Sequence, residues 1–389
     1  MKKSLKMFFL AFLSFALFTA CDKEDDDPIV EATWQIEIVD NTGSPLSYNK
    51  LATDLSGGNH IAYVDEGTDD VVKLKYAYKA LNGTWQTEFI ENVEECQNWI
   101  DMALDTIANK IYVVYVIDNK PVGTGIDSWL MLAEKSIGGT SWTKTPIQSE
   151  LNNSRYPRIT IDKNSGIHVS YSRGGVGDQY YAYRPLNGTF SISLITEDGD
   201  ANSSIAVDNN LNVHIAYYQS DALRYATKSA TATEWTITDI KTDIDYGSST
   251  TASLSLFLNA ENKPNVLFFN DLGDDTQCVG LANFSTSWNT SIFSAIEKAN
   301  VNSLNVFHKS NFDYITYQEN IGLSGQHFDL RLVYNSSGTW KTEIVDGNSD
   351  NRAGSFNSVS VENNGRVNIA YNATTEGVLK FATSNKLND

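Results

Sequence analysis

Residues 204–226 read SIAVDNNLNVHIAYYQSDALRYA. Apolar and polar residues alternate on both sides of the Asn-rich segment 209–212, which is the pattern of two strands joined by a tight turn. Within the stretch, Asp208, His214 and Tyr217 are spaced 0, +6 and +9. A third apolar run, 223–226, follows and carries the small residue Ala226. The stretch therefore predicts three successive antiparallel strands.

The same pattern recurs along the chain. The 0, +6, +9 spacing is found again at Asp54, His60 and Tyr63; Asp162, His168 and Tyr171; Asn259, Asn265 and Phe268; His308, Tyr314 and Tyr317; and Glu362, Asn368 and Tyr371. A fourth run in each unit begins near an aromatic residue, at Trp34, Trp85, Trp142, Phe190, Trp235, Trp288 and Trp340. Successive aromatic positions are 45 to 57 residues apart, which is the size of a four-stranded propeller blade.

The two ends of the repeat complement each other. The last unit stops after 378–382 without an aromatic fourth strand, and such a strand stands alone at 33–39. Pairing the two completes the last blade and removes the open sheet edges. The sequence therefore predicts an all-β fold over residues 33–389, a seven-bladed β-propeller of four-stranded antiparallel blades that is closed by its N-terminal strand. The alternative is an open array with an unpaired edge at each end.

These repeated units resemble the BNR/sialidase-like seven-bladed propellers of bacterial surface and secreted proteins. The likeness rests on 205–208, 214–217, 223–226 and 234–235 and on the Gly-Thr-Trp ends, and it extends over nearly all of residues 33–389. The leading Ser-x-Asp of the sialidase Asp-box is absent from 335–340. The resemblance implies the fold strongly and the function weakly, because one fold supports many different sites.

The N-terminal segment has the features of an export signal. Residues 1–20 carry three lysines, then an apolar stretch from 7 to 20, and end directly before Cys21. Residues 17–21 resemble a bacterial lipobox, which implies a lipoprotein signal peptide and lipidation of Cys21. The acidic run that follows predicts a tether over 21–32 and resembles an outer-membrane surface-export signal. The alternatives are ordinary secretion with Cys21 free, and a spacer without signal value.

Composition narrows the possible partners. A formal net charge of −19 argues against nucleic acid, whose binding draws on basic patches. No Cys/His spacing is typical of zinc, and the acidic clusters at 65–70 and 271–275 are better explained as solvated loops than as calcium sites. We expect no cofactor and no metal. We expect a monomer that touches the membrane only through its lipid anchor.

Candidate ligand-binding residues come from the loops that join strand four to the next strand one and strand two to strand three, because these loops share one face of a propeller. The candidates are Trp99, Arg155, Tyr156, Arg158, Arg173, Tyr246, His327 and Arg352. Aromatic, arginine and acidic side chains on one rim suit carbohydrate recognition. The competing interpretation is that aromatic residues such as Tyr48 and Tyr156 only cap the core. His60, His168 and His214 share one repeat position, which favours a packing role.

The sequence leaves three functions open. The first is a surface-anchored, non-catalytic propeller that binds a glycan or a protein through its loop face. The second is a carbohydrate-active enzyme at the same mouth, either a sialidase-like hydrolase or a polysaccharide lyase built on His168, Tyr171 and Arg173. The third is a structural subunit of an outer-membrane assembly.

Overall fold

A computed structural model shows a ring of β-sheets, and its described residues contain no layer of helices. The structure describes residues 33–45, 47–67, 71–93, 95–118, 128–149, 153–174, 177–199, 202–244, 254–271, 277–293, 296, 300–309, 312–321, 327–336, 339–347 and 352–385. The predicted signal peptide (1–20), the tether (21–32) and Cys21 lie outside these residues. Within the described part of the chain, no helix has the length and apolar character needed to cross a bilayer.

The described residues form seven antiparallel sheets of four strands each, which confirms the predicted fold class. The first strand is β1 (Trp34–Asp40). Blades 1 to 3 contain β2 (Asn49–Thr53), β3 (Asn59–Asp65), β4 (Lys73–Lys79) and β5 (Gln86–Glu91); β6 (Glu95–Asp105), β7 (Lys110–Asp118), β8 (Ser128–Ser136) and β9 (Thr143–Gln148); and β10 (Arg155–Ile161), β11 (Ile167–Arg173), β12 (Asp178–Arg184) and β13 (Ser191–Thr196).

Blades 4 to 7 continue in the same order. They contain β14 (Ser203–Val207), β15 (Val213–Gln219), β16 (Ala222–Lys228) and β17 (Thr236–Lys241); β18 (Leu254–Leu258), β19 (Pro264–Asp271), β20 (Gln277–Phe284) and β21 (Trp288–Ile292); β22 (Asn300–Lys309), β23 (Phe312–Asn320), β24 (Phe328–Ser336) and β25 (Thr339–Asp346); and β26 (Ser355–Val361), β27 (Val367–Ala373) and β28 (Val378–Ser384), with β1 as the fourth strand of blade 7.

The ring is closed by the predicted pairing of the two ends. β1 runs antiparallel to β28, and Ile36 lies opposite Ala382 in the register. The side chains of β1 also reach blade 1, since the Asp40 carboxylate accepts hydrogen bonds from the Tyr63 hydroxyl at 2.6 Å and from Lys75 Nζ at 2.9 Å. The N-terminal strand therefore joins blade 7 to blade 1 through both backbone and side-chain contacts.

A side-chain network built on a buried histidine recurs in blades 1, 3 and 4. In blade 1, His60 is buried, and its ring nitrogens bond the Asp54 carboxylate at 3.0 Å and the Tyr76 hydroxyl at 2.6 Å. Tyr76 in turn meets the edge of Trp142 from blade 2 at 5.3 Å. Blades 3 and 4 repeat the contact between His and Tyr with His168 and His214. These three side chains, the turn histidines, are held inside the blades, and we assign them a packing role.

Candidate ligand-binding site at the channel mouth

Seven side chains, one from each blade, occupy the same position on the innermost strands. The strand pairings place each of them opposite the equivalent residue of its blade's second strand. The members of this channel ring are Lys50, Asp101, Arg158, Ser204, Ser255, Asn305 and Ser358. All seven line a central cavity of about 470 Å³.

Side chains of the channel ring form hydrogen bonds between neighbouring blades. The Ser358 hydroxyl accepts the N–H of Leu51 from the next blade at 3.0 Å, and the Ser204 hydroxyl accepts the N–H of Leu256 in the same way at 3.0 Å. An acceptor at this position satisfies a backbone N–H that a polar-lined channel would otherwise leave to water. Lys50 and Arg158 carry no acceptor, so they depart from the pattern that the packing favours.

Lys50 and Arg158, together with Asp101 between them, make one side of the channel charged. Lys50 Nζ lies 3.5 Å from Asp101 Oδ1, while Asp101 Oδ2 accepts the N–H of Ile159 at 3.0 Å. Arg158 donates one hydrogen bond to the carbonyl of Pro157 at 3.1 Å, and its other N–H groups bond no described residue. Burial lowers the pKa of Lys50, with Asp101 opposing and Arg158 reinforcing that change. Blades 1 to 3 therefore present two cations and one carboxylate that is already engaged.

Aromatic side chains stand above this charged side. They occupy the position two residues before the channel ring in four consecutive blades: Phe356, Tyr48, Trp99 and Tyr156. The ring centroids of Tyr48 and Phe356 are 4.7 Å apart, and those of Trp99 and Tyr156 are 4.5 Å apart. We call these four residues the aromatic arc. At the same position, blades 4 and 6 carry Asn202 and Ser303, so the mouth is aromatic on one side and polar on the other.

Two of these aromatic residues lie at backbone bulges. The pairing of β10 shifts between Arg155 and Arg158, and Tyr156 there has a φ of 51°. Phe356 has a φ of 48° at the equivalent shift in blade 7. A left-handed backbone is unfavourable for aromatic residues and often marks a functional site. The equivalent residue of blade 6, Ser303, has a φ of 58° at a matching register shift, so the left-handed bulge recurs in the repeat on both sides of the mouth.

The structure brings together four of the eight sequence-predicted residues. Trp99 and Tyr156 are in contact, the Arg155 guanidinium lies 5.9 Å from the Trp99 ring centroid, and Arg158 lines the channel. Tyr156 is buried at 4% exposure, as the core-capping interpretation expects. Sequence reasoning missed Lys50, Asp101 and Phe356. The first two fall four residues before the acidic repeat position, as Arg158 does, so aligning the units by that position would have found them.

The other predicted residues are placed elsewhere or lie outside the described part. Arg173 ends β11, with its guanidinium 5.3 Å from the Tyr180 ring centroid. His327 and Arg352 belong to blades 6 and 7, where His327 Nε2 bonds Asp329 at 3.1 Å and Arg352 lies over Phe328. Tyr246 lies outside the described residues. Phe328, next to His327, forms a β-bridge with Arg352, so these two predicted residues are neighbours.

The lyase arrangement suggested for blade 3 is not formed. His168 stands near the start of β11 and Arg173 at its end, five residues apart, which separates their backbones by roughly 17 Å at about 3.4 Å per residue. His168 Nε2 also bonds Asp162 at 2.9 Å, inside the blade. Within the described ranges, no group of three or more His, Cys, Asp or Glu side chains is placed to hold a metal ion.

Comparisons with known proteins agree on the fold. No protein-family model and no curated protein matches the sequence. Among solved structures, a Hadza microbial sialidase matches at 12% identity with a TM-score of 0.53, over 87% of this chain and 65% of that one. A streptogramin B lyase matches at 10% identity and a TM-score of 0.55, over 90% of this chain and 98% of the other.

A Trypanosoma rangeli sialidase in complex with 2,3-difluorosialic acid matches at 10% identity and a TM-score of 0.52, over 92% of this chain and 58% of that one. The chain thus spans about two-thirds or less of these sialidases. At such identities, the likeness shows a sialidase-like seven-bladed propeller and leaves the function open.

Proposed function

We propose that this protein is a surface-anchored, non-catalytic propeller that binds a carboxylate-bearing glycan at its channel mouth. The observation that carries the proposal is the aromatic arc over four consecutive blades, whose Tyr48 lines the channel together with Lys50 and Arg158. Aromatic faces stack on sugar rings, and guanidinium groups bind carboxylates through paired hydrogen bonds. The two kinds of contact stand on the same side of one channel.

The local charge supports an acidic ligand. The chain has a formal net charge of −19, yet the described residues that line the channel include two cations, Lys50 and Arg158, and one carboxylate, Asp101. Arg155 adds a third cation beside Trp99. An excess of cations over carboxylates at the mouth of an acidic protein attracts anionic ligands.

The same residues favour binding over hydrolysis. Glycoside hydrolysis commonly needs two carboxyl groups, one of which gives a proton to the leaving oxygen. Among the described channel-lining residues, Asp101 is the only carboxylate, and its oxygens accept the N–H groups of Ile159 and Met102. A carboxylate engaged in this way is poorly placed to act as a general acid.

A glycan array tests the ligand, and a product assay on every hit tests the absence of catalysis. We expect acidic glycans to bind, and we expect both Trp99→Ala and Arg158→Gln to weaken binding more than 10-fold. Arg173→Gln is the matched control, because it removes an arginine that stacks on Tyr180 and does not line the channel. A cleaved product would establish the enzymatic alternative, and binding to no glycan would favour a protein partner or a structural role.

The surface location is part of the proposal and rests on the sequence of residues 1–32. Metabolic labelling with a fatty acid should mark the wild-type protein and not Cys21→Ala. Protease treatment of intact cells should then remove the labelled protein from the outer face. Labelling that survives in Cys21→Ala would contradict the anchor, and protection from protease would contradict surface display.

A further inference from the structure

A second cavity lies between blades 5 and 6, at the end of the blades where strand one turns into strand two. It has a volume of about 240 Å³ and is open to solvent. Its walls come from the β18–β19 turn and from residues in or next to β18 to β25. This position is at the opposite end of the innermost strands from the aromatic arc.

The cavity arises from two departures from the repeat. In blade 1, the corresponding space holds the rings of His60 and Tyr76, with Tyr76 against the tryptophan of the next blade. In blade 5, Asn265 and Leu281 stand at those two positions, and both line the cavity. Replacing two rings by shorter side chains leaves unfilled volume beside Trp340 of blade 6.

The polar groups of the cavity are ordered by one another. Asn283 Nδ2 donates to Asn265 Oδ1 at 2.7 Å, and Asn265 Nδ2 donates to the carbonyl of Lys263 at 3.0 Å. His308 Nδ1 bonds Asp313 Oδ1 at 2.6 Å, which leaves its Nε2 without a bond to any described residue. The cavity thus offers fixed amide and imidazole groups for directed hydrogen bonds.

Apolar ring faces stand beside these groups. Phe257 stacks on His308 with centroids 5.4 Å apart, and Trp340 meets Phe293 edge-on at 4.7 Å. Trp340 and Phe257 both line the cavity and are half-buried, so each keeps part of its surface exposed. A ligand that fits here has an apolar face and several hydroxyl groups.

We propose that this cavity binds one neutral monosaccharide unit. The described lining contains Glu261 and Asp313 and no lysine or arginine, so an anionic ligand would meet no compensating charge. The volume is below the roughly 300 to 1,000 Å³ of drug-sized sites and equals that of about eight waters, which suits a single sugar ring. The inference is independent of the acidic ligand at the mouth.

Saturation-transfer NMR on the protein from residue 33 onward tests the proposal, with a panel of neutral pyranoses at millimolar concentration and choline as a cationic probe. We expect at least one pyranose to give a signal. The double substitution Asn265→His with Leu281→Tyr copies blade 1 and fills the cavity, so it should reduce that signal more than 10-fold. Arg158→Gln, at the channel ring, should leave it unchanged.

If the double variant fails to fold, a second variant still tests the proposal. Leu281→Phe is the second variant, because blade 7 places Phe381 at the equivalent position against Trp85 at 5.1 Å. The proposal is wrong if no pyranose gives a signal, if only choline does, or if the folded filled variants bind as the wild type. Loss of the pyranose signal in Arg158→Gln would move the binding to the mouth and also overturn the proposal.

Discussion

Removing one hydroxyl group inside blade 3 should destabilise the protein measurably. The Tyr181 hydroxyl lies 2.7 Å from His168 Nδ1, and both side chains are buried, at 6% and 3% exposure. Tyr181→Phe keeps the ring against Trp235 and leaves the imidazole nitrogen without a partner. An orphaned buried polar group costs about 1 to 3 kcal/mol, so we expect the free energy of unfolding to fall by about that amount.

The expected cost comes from the orphaned nitrogen, so it should diminish when the nitrogen is removed as well. His168→Leu combined with Tyr181→Phe replaces both partners by apolar side chains. The double variant should be more stable than the sum of the two single changes predicts, by about 1 kcal/mol or more. Asp162 keeps its two bonds from Gly166 and Asn164 in every variant.

Urea unfolding followed by tryptophan fluorescence measures all four members of this cycle. Tyr183→Phe is the matched control, because its ring lies tilted beside His168, with centroids 4.7 Å apart, and its hydroxyl bonds no described residue. We expect that control to stay within about 0.5 kcal/mol of the wild type. Strict additivity in the cycle, or an equal loss in Tyr183→Phe, would refute the assignment of the turn histidines to a hydrogen-bonded packing network.

Three further predictions concern the same architecture. Burial lowers the pKa of each turn histidine below 6.5, so its contribution to stability is fully present above that pH and is lost as the pH falls. The difference in melting temperature between pH 7.5 and pH 5.5 should therefore be smaller in His168→Asn than in the wild type. An equal difference in the two proteins would contradict this. Ser358→Ala should lower the free energy of unfolding by about 1 to 2 kcal/mol, because it removes the hydrogen bond to the next blade. Ser255→Ala, whose hydroxyl bonds no described residue, should lower it by about 0.5 kcal/mol or less. Equal urea midpoints for the two variants would argue against hydrogen bonding between blades by the channel ring. Trp142→Ala should cost about 3 to 5 kcal/mol and Trp340→Ala clearly less, because Trp340 already borders a cavity; the reverse order of melting temperatures would show that the blade 5 cavity is not loosely packed.

The fold was predictable from the sequence because the same local pattern of strands and turns is repeated along the chain. The turn between Asp208 and His214 recurs with the same spacing, and a period-two pattern fixes which face of each strand is buried. Ring closure was predictable too. The last unit lacks a fourth strand, and the N-terminal strand has no unit of its own, so the two can complete one blade. No long-range information beyond the repeat itself was needed.

The candidate site was only partly predictable, because it depends on where the innermost strands face. Trp99 and Tyr156 stood out as aromatic residues in presumed loops, although Tyr156 lies on a bulged strand. Lys50 is an ordinary lysine in an alternating strand, and only the ring shows that it points into the channel. Arg173 and Arg352 resemble Arg155 in sequence context, and only the structure shows that their guanidinium groups lie over the rings of Tyr180 and Phe328.

Closing the ring with β1 has a consequence for the order of folding. β1 emerges first from the ribosome, whereas its partner β28 emerges last, so this pairing cannot form until nearly the whole domain has been synthesised. Until then, β1 has no partner strand and keeps its hydrogen-bonding edges open, which is the condition under which growing chains associate wrongly. Such a distant contact also slows folding, because a long loop must be ordered before the pairing stabilises it. Closure is therefore the last step in assembling the ring, and the intermediates that precede it are the ones exposed to wrong association.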